Sequence, residues 1–420
     1  MKQLHVRYSY SDQIESDPTI TGGNTLDIGL FDERGLPEGG PGFRGWSGSD
    51  KMEFTIGERW ATPPYREGKI GAGRWHVLLG PYKVGPRGCD WKVEIWFDLG
   101  LPSPWKVRGA AVRRRDPDPL PEAREGWLRG DLHCHSVYSD GDAWPLEVLE
   151  AAAEAGLEFL GVTDHNNVTH QLAYGPGGDG LPLVIPGVEV TTYGGHWNAW
   201  GTNRWWEFRD AEAKAVERGM RAAAQTGAVV CVCHPKPLGP AWEYADVSGF
   251  HAVEVWNSHW VKLNATSLAF WLERLRRGER VAAVGGSDMH YLHRRDPDVR
   301  HSQRLGTPTT WLRSTRDVPS ILAALRSGDS FISESASGPQ LYLDPDRGRA
   351  GRVAIETREG EGSTLVLLGA AGPIGASPID APRWDRTFDV PAGTPYVIAQ
   401  LLGMTGNLRA ITNPVWTERL

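Results

Sequence analysis

The sequence predicts an α/β protein in which a parallel, barrel-like central domain is flanked by β-rich regions at both ends. Three observations point there. Between residues 127 and 345, short apolar runs alternate with stretches of helical period, the rhythm of a parallel sheet covered by helices. Before about residue 110, and again from 346 to 420, the text is short β-type runs between Gly, Pro and Asp turns. The apolar runs of the middle region also end on imidazoles or carboxylates, where parallel α/β barrels keep their functional groups.

Residues 1–110 read as an N-terminal β-sandwich of immunoglobulin-like or jelly-roll type, with clear strands at 75–79 and 91–97. A linker follows, marked by Arg113-Arg114-Arg115 and Asp116-Pro117-Asp118-Pro119. In the middle region Pro145 opens a helix whose apolar stripe is read as Leu146, Leu149 and Ala153, with Gly156 ending it. Strands are expected at 159–163, 183–188, 228–232, 252–256, 281–284 and 309–312, and helices at 211–225, 266–276 and 318–326. The loop 175–180 is Gly-rich but lacks the Lys-Ser/Thr of a phosphate cradle. The stretch 346–420 reads as a β-rich C-terminal region with its clearest strand at 396–401.

Composition narrows the function classes. The 420-residue chain is 40% hydrophobic and 23% charged, an ordinary globular balance. A formal net charge of -7 offers no general attraction to nucleic acid or to anionic membranes. No apolar run approaches a transmembrane span, the first residues do not read as a signal peptide, and four cysteines do not make a disulfide framework. A cytoplasmic protein acting on a small-molecule substrate, with no nucleic-acid or membrane partner, is the expectation. Oligomeric state is not readable. The 19 tryptophans are unusual; core and interdomain packing is the first reading, and for the group Trp197, Trp200, Trp205 and Trp206 an apolar wall beside the site described next is the sharper one.

The most informative stretch is Asp131-Leu132-His133-Cys134-His135 followed by Ser139-Asp140-Gly141. Two histidines one residue apart on extended backbone face the same side and can grip one ion. Thr163-Asp164-His165, Gly187-Val188-Glu189, Cys233-His234-Pro235 and Ser287-Asp288-Met289-His290 repeat the theme, with His196 seven residues after Glu189. Six of these nine groups are histidines, out of 13 in the chain, which is hard to explain without a metal cluster. Mixed nitrogen and oxygen donors suit Zn, Mn or Fe better than Ca or Mg. Lys236, Arg209, Asn257 and His259 are candidate substrate contacts, while His251, His293 and His301 read as surface or supporting residues.

The order His-x-His…Ser-Asp-Gly, Thr-Asp-His, Glu, His-Pro and Ser-Asp-x-His resembles the PHP (polymerase and histidinol phosphatase) superfamily. Segments 195–201, 253–257 and 305–311 look like its carbaryl-hydrolase branch. The resemblance implies a distorted (β/α)7, TIM-like barrel and a trinuclear metal site with two to three divalent ions. One ion would be held by His133, His135, Glu189 and Asp288, a second by Glu189, His196 and His234, and a third by Asp140, His165 and His290. It implies a metal-dependent hydrolase with a metal-activated hydroxide and no protein nucleophile, cleaving a phosphomonoester or diester. The branch resemblance leaves open a carbamate, carboxylic ester or amide hydrolase. A third reading is a non-catalytic module that metals merely stabilise.

Overall fold

A computed structural model describes residues 1–16, 20–36, 40–102, 120–177, 180–237, 241–293, 303–346 and 348–419. The Arg113–115 run, the Asp-Pro linker, part of the Gly-rich loop (178–179) and His301 therefore lie outside the described residues.

The N-terminal region contains β1 (Gln3–Tyr10), β2 (Thr25–Phe31), β3 (Phe43–Gly48), β4 (Glu53–Gly57), β5 (His76–Lys83) and β6 (Trp91–Phe97). They form two antiparallel three-stranded sheets, ordered β4-β1-β6 and β3-β2-β5. Alternation explains the pairing: Leu4, Val6 and Tyr8 of β1 and Leu26, Ile28 and Leu30 of β2 all bury into one shared core with Phe54 and Ile56.

The middle region supplies β7 (Trp127–Asp131), α1 (Pro145–Glu154), β8 (Phe159–Val162), α2 (His170–Tyr174), β9 (Leu183–Thr192), β10 (Gly195–Trp200) and α3 (Ala213–Gln225). It continues with β11 (Val229–Val232), β12 (Ala252–Asn257), α4 (Asn264–Arg276), β13 (Ala282–Gly286), β14 (Thr309–Arg313), α5 (Val318–Ser327) and β15 (Ser330–Ser333). Pro145 does open α1, but its buried face is Val148, Leu149 and Ala152, and Leu146 is half exposed. The stripe was read one phase off, because the face is set by packing against Leu160 and Val162 of β8, which share its core.

The C-terminal strands are β16 (Gln340–Pro345), β17 (Arg352–Arg358), β18 (Thr364–Gly369), β19 (Gly372–Pro378), β20 (Arg383–Asp389), β21 (Tyr396–Leu402), β22 (Leu408–Thr412) and β23 (Val415–Trp416). One 14-stranded mixed sheet runs β13-β12-β11-β10-β9-β8-β7-β14-β15-β22-β21-β18-β19, with β23 beside β21. The sheet thus continues unbroken past residue 345.

Two features depart from an all-parallel barrel. β10 is antiparallel to both β9 and β11, and β14 is antiparallel to β7. The named strands do not close into a hydrogen-bonded ring. The free edge of β13 is instead satisfied by side chains: Thr310 Oγ1 bonds the Gly285 N–H and carbonyl at 2.8 Å each, and Asn413 bonds the Ala283 N–H and carbonyl at 2.6 and 2.9 Å. Beyond the strand ends, Asp288 N donates to His133 O (2.8 Å) and His135 N to Met289 O (2.9 Å). Those bonds bring the chain after β7 beside the chain after β13. No helix among the described residues is long and apolar enough to cross a membrane.

Candidate metal centre

Every strand from β7 to β13 delivers a chemically active side chain to one end of the sheet. His133 and His135 follow β7, Asp140 lies in the loop after them, and His165 follows β8. Glu189 lies within β9, which runs four residues further than the expected strand before turning back as β10 with His196. The Tyr193-Gly194-Gly195 turn between two β-type runs was the overlooked hairpin signal. His234 follows β11, and Asp288 and His290 follow β13. Backbone at His234 (φ 29°) and Asp288 (φ 54°) sits in the left-handed region that such residues rarely enter. Strain of this sort is held where the surroundings over-determine a functional geometry.

Glu189 is the hub. Its carboxylate lies 2.9–3.4 Å from ring nitrogens of five histidines: His165 Nδ1 (2.9 Å), His196 Nδ1 (3.0 Å), His133 Nε2 (3.2 Å), His234 Nε2 (3.3 Å) and His135 Nε2 (3.4 Å). Asp288 Oδ1 approaches His135 Nε2 at 3.0 Å and His133 Nε2 at 3.4 Å. Asp140 Oδ1 stands 3.4 Å from His290 Nε2 and 3.6 Å from His165 Nε2. All nine predicted groups therefore meet in one place. Their donor atoms fall into sets within 4.8 Å of one another, among them His135, Asp140, His165 and His290; His133, His135 and Glu189; and His165, Glu189 and His196.

The donors fit a cation better than they fit one another. His133 Nε2, Asp140 Oδ1 and Glu189 Oε2 are buried with no hydrogen bond, although buried polar atoms are nearly always satisfied. His135 stacks on His290 and His165 with ring centroids 4.1 and 4.4 Å apart, a poor arrangement for two imidazolium ions. Burial, with His290 and His165 alongside, pushes His135 down to about 4. Burial also opposes charge on His165 and His290, but Glu189 and Asp140 lift the first to about 8, and Asp140 and Asp288 lift the second to about 10. Against the same burial, the surrounding histidines hold Glu189 and Asp288 well below the carboxylate range. Protons here stand where divalent ions would neutralise the carboxylates and use the neutral imidazoles as ligands.

A supporting shell went unread in the sequence. Glu254 of β12 accepts from His133 Nδ1 (3.0 Å), from the His234 N–H (3.0 Å) and from Asn257 Nδ2 (3.1 Å). A carboxylate within the buried run 252–257 was the available clue, since an isolated buried charge demands partners. Asp131 accepts from the N–H groups of His133, Ser287 and Gly306, tying β7 to the chain after β13. Asp164 takes the Ser136 N–H and the hydroxyls of Ser136 and Ser139, which shapes the loop carrying Asp140.

The cluster forms the floor of a cleft of about 980 Å3 whose opposite wall comes from the N-terminal sheets. Lys236 and Asn257 line it. Lys236 Nζ donates to Asn257 Oδ1 (3.0 Å), Asn257 O (3.2 Å) and Asn264 Oδ1 (3.2 Å), and burial pushes the amine down to about 8. His259 and Arg209 do not line the cleft. The His259 carbonyl holds Asn264, and Arg209 pairs with Glu207 (2.5 Å), bonds Leu36 O (3.0 Å) and lies over Phe31 and Trp205 at the seam between regions. The four tryptophans Trp197, Trp200, Trp205 and Trp206 serve the core and the seam between regions, as the first reading has it, and do not wall the site. Trp197 and Trp200 are buried, and Trp205 packs on Phe43 with ring centroids 5.0 Å apart. The aromatic lining comes instead from Tyr10, Trp46, Tyr82, Tyr193 and Tyr291. Cys134 is buried between the two ligand-type histidines and its thiol is raised far above the ordinary range by burial, so it is no nucleophile.

Residues 131–194 match the PHP domain. That segment carries five of the nine cluster residues, His133, His135, Asp140, His165 and Glu189, with His196 just beyond its end. Over 64 residues the chain is 41% identical to the phosphoribosyl 1,2-cyclic phosphate 1,2-diphosphodiesterase of Eggerthella lenta, covering 15% of this chain and 24% of that protein. Over 76 residues it is 34% identical to the DNA polymerase/3'-5' exonuclease PolX of Bacillus subtilis, covering 17% of this chain and 13% of that protein. The chain thus spans about a quarter or less of these relatives' length. Among solved structures it is similar to a two-domain protein from Bacteroides vulgatus containing a predicted PHP-like metal-dependent phosphoesterase. That likeness has a TM-score of 0.45 and 18% identity over 72% of this chain and all of the other.

Proposed function

We propose that the chain is a metal-dependent phosphoesterase with a trinuclear centre of Zn, Mn or Fe, acting on a small phosphomonoester or diester. One observation carries the reading: a single buried carboxylate, Glu189, contacted by five histidines at the base of a cleft large enough for a small molecule. The PHP match and the diphosphodiesterase relative support the phosphoester choice. His133, His135, Glu189 and Asp288 would hold one ion, Glu189, His196 and His234 a second, and Asp140, His165 and His290 a third. His165 lies near enough to Glu189 to serve the second set as well.

When bound, such ions polarise phosphoryl oxygens and lower the pKa of water towards neutrality. The chain's own residues do the rest. Glu254 fixes the His133 ring, Thr191 Oγ1 contacts His165 Nδ1 at 2.6 Å, and the Asn257 amide reaches Asp288 Oδ2 at 3.3 Å, so the donors are preoriented. Lys236 sets a cation at the edge of the floor, where an anionic substrate gains from it.

Reconstituting purified protein with each metal and assaying p-nitrophenyl phosphate and bis-p-nitrophenyl phosphate tests the reading. Metal-dependent turnover of either is expected. The tyrosine-rich lining favours a second reading, hydrolysis of an aromatic ester or carbamate. Cleavage of 1-naphthyl acetate or a naphthyl carbamate with no phosphoester turnover would replace the first reading with the second. Stoichiometric metal without any turnover would leave a metal-stabilised module.

A further inference from the structure

The outer half of the cleft is built by other parts of the chain than its floor. β2, β3 and β5 form one side, and the turn between β9 and β10 leans against them. Asp27 of β2 stands opposite Gly80 of β5 in the sheet register. A Cβ added at Gly80 would lie 2.2 Å from Tyr193 Oη, so the missing side chain opens the notch through which Tyr193 enters. The Tyr193 hydroxyl then donates to Asp27 Oδ2 at 2.9 Å.

A plain interregional hydrogen bond would be buried and self-contained. This one is not. Tyr193 remains 43% exposed, and both residues line the cleft that also holds His165 and Asp140. Asp27 has no lysine or arginine ion-paired to it among the described residues, whereas Asp50 at the rim is neutralised by Lys51 at 2.5 Å. Only one Asp27 oxygen is engaged by Tyr193, and Gly48 bounds the other, where even an added Cβ would stay 3.8 Å from Oδ1. The ring of Tyr82 lies 5.4 Å from that of Tyr193, tilted by 39°, and Lys83 Nζ lies 5.6 Å from the Tyr82 ring centroid, so Tyr82 buttresses the Tyr193 ring beside the carboxylate.

We propose that Asp27, Tyr193 and Tyr82 form a leaving-group subsite, taking a group that bears a hydrogen-bond donor and carries no second anionic charge. A hydroxyl or an ammonium would donate to the carboxylate in a charge-assisted bond, and an ammonium would also be attracted by the exposed Tyr193 ring. A second phosphate or a carboxylate would meet the Asp27 carboxylate, to which no lysine or arginine is ion-paired among the described residues, which is selection by repulsion. The inference rests on the phosphoester reading and deepens it: bisphosphates and nucleic acid are poor fits for this cleft.

Phosphonates, whose P–C bond the enzyme cannot hydrolyse, separate binding from turnover. Calorimetry on the metal-loaded full chain at about pH 8, where Asp27, raised to about 7 by burial, is ionised, would compare alkylphosphonates of three to six carbons ending in methyl, hydroxyl, amine or carboxylate. At the best chain length, the amine or hydroxyl should bind about tenfold or more tighter than the methyl compound, and the carboxylate weaker. Asp27→Asn, nearly isosteric, should shrink the amine-to-carboxylate ratio by about tenfold or more. Tyr82→Leu is the second variant, expected to weaken the amine relative to the methyl compound by a smaller factor. Equal affinities along the series, or ratios untouched by both variants, would overturn the subsite and leave the phosphoester reading standing. No binding of any member, methyl included, would overturn both.

Discussion

The floor and the outer wall of the cleft obey opposite design rules. On the floor, nine titratable groups crowd together at the ends of one continuous sheet, several of the histidines supported by a neighbouring carboxylate, hydroxyl or carbonyl. At the wall, one carboxylate with no ion-paired lysine or arginine among the described residues and a few tyrosines from separate regions line the outer cleft. The floor concentrates charge that only cations can balance, and it is rigid because several partners hold each donor. The wall is held by Phe31, Phe43 and Trp46, which join the apolar core of the middle region beside Trp205 and Phe208, and by hydrogen bonds such as Lys51 Nζ to Ser139 O and Thr169 Oγ1 to Pro64 O. Chemistry that any phosphoester would share belongs to the floor, and choice among phosphoesters belongs to the wall.

Breaking the floor should produce the largest effect. Glu189→Gln should abolish stoichiometric metal binding and lower turnover by more than about 100-fold, beyond the range typical of supporting residues. Elemental analysis of the purified variant beside its turnover number would check it. Glu254→Gln, one step out, should cost about 10–100-fold in metal affinity or activity while the fold survives. Chelator titration followed by the same assay reads that difference.

Removing the metals sharpens the contrast as stability. With free metal at about 100 times its dissociation constant, the loaded protein should exceed the metal-free one by about 2.7 kcal/mol per independent site, seen as a higher melting temperature. At the wall, Gly80→Ala should cost about 1–3 kcal/mol, because the new methyl must displace the Tyr193 hydroxyl. It should leave metal stoichiometry unchanged.

A further contrast is a pH dependence. Burial pushes Asp27 up from 3.8 to about 7 against the Tyr193 hydrogen bond. A carboxyl raised on folding binds its proton more tightly in the native state, so stability falls as pH rises from about 4 to about 7 and levels off above. In metal-free protein, Asp27→Asn should therefore gain on the wild type across that interval and run parallel to it at higher pH. Urea midpoints at four or five pH values would show it.

Much of the floor could be read from the chain because its residues come as short motifs. A His-x-His on extended backbone, or an Asp-x-His after an apolar run, carries its own geometry, since side-chain direction follows from the strand period. Glu254 escaped because it sits inside an apolar run with no companion nearby. Its three bonds reach His133, His234 and Asn257, two of them far off in sequence. Arg209 was misplaced, and the sharper reading of the tryptophans failed, for a related reason. Local sequence shows that such side chains are amphipathic or bulky, not which neighbour will bury them.

The alternation of apolar runs with helical stretches, and the ligand-type residues at their ends, were determined by the sequence alone, because secondary structure and side-chain direction are local properties. Only the tertiary structure decided that β9 turns back into an antiparallel hairpin, that the sheet continues into the C-terminal strands, and that the first hundred residues wall the cleft. Each of those outcomes depends on pairing between segments far apart in the chain. No local period encodes which distant edge or face will be the one that buries.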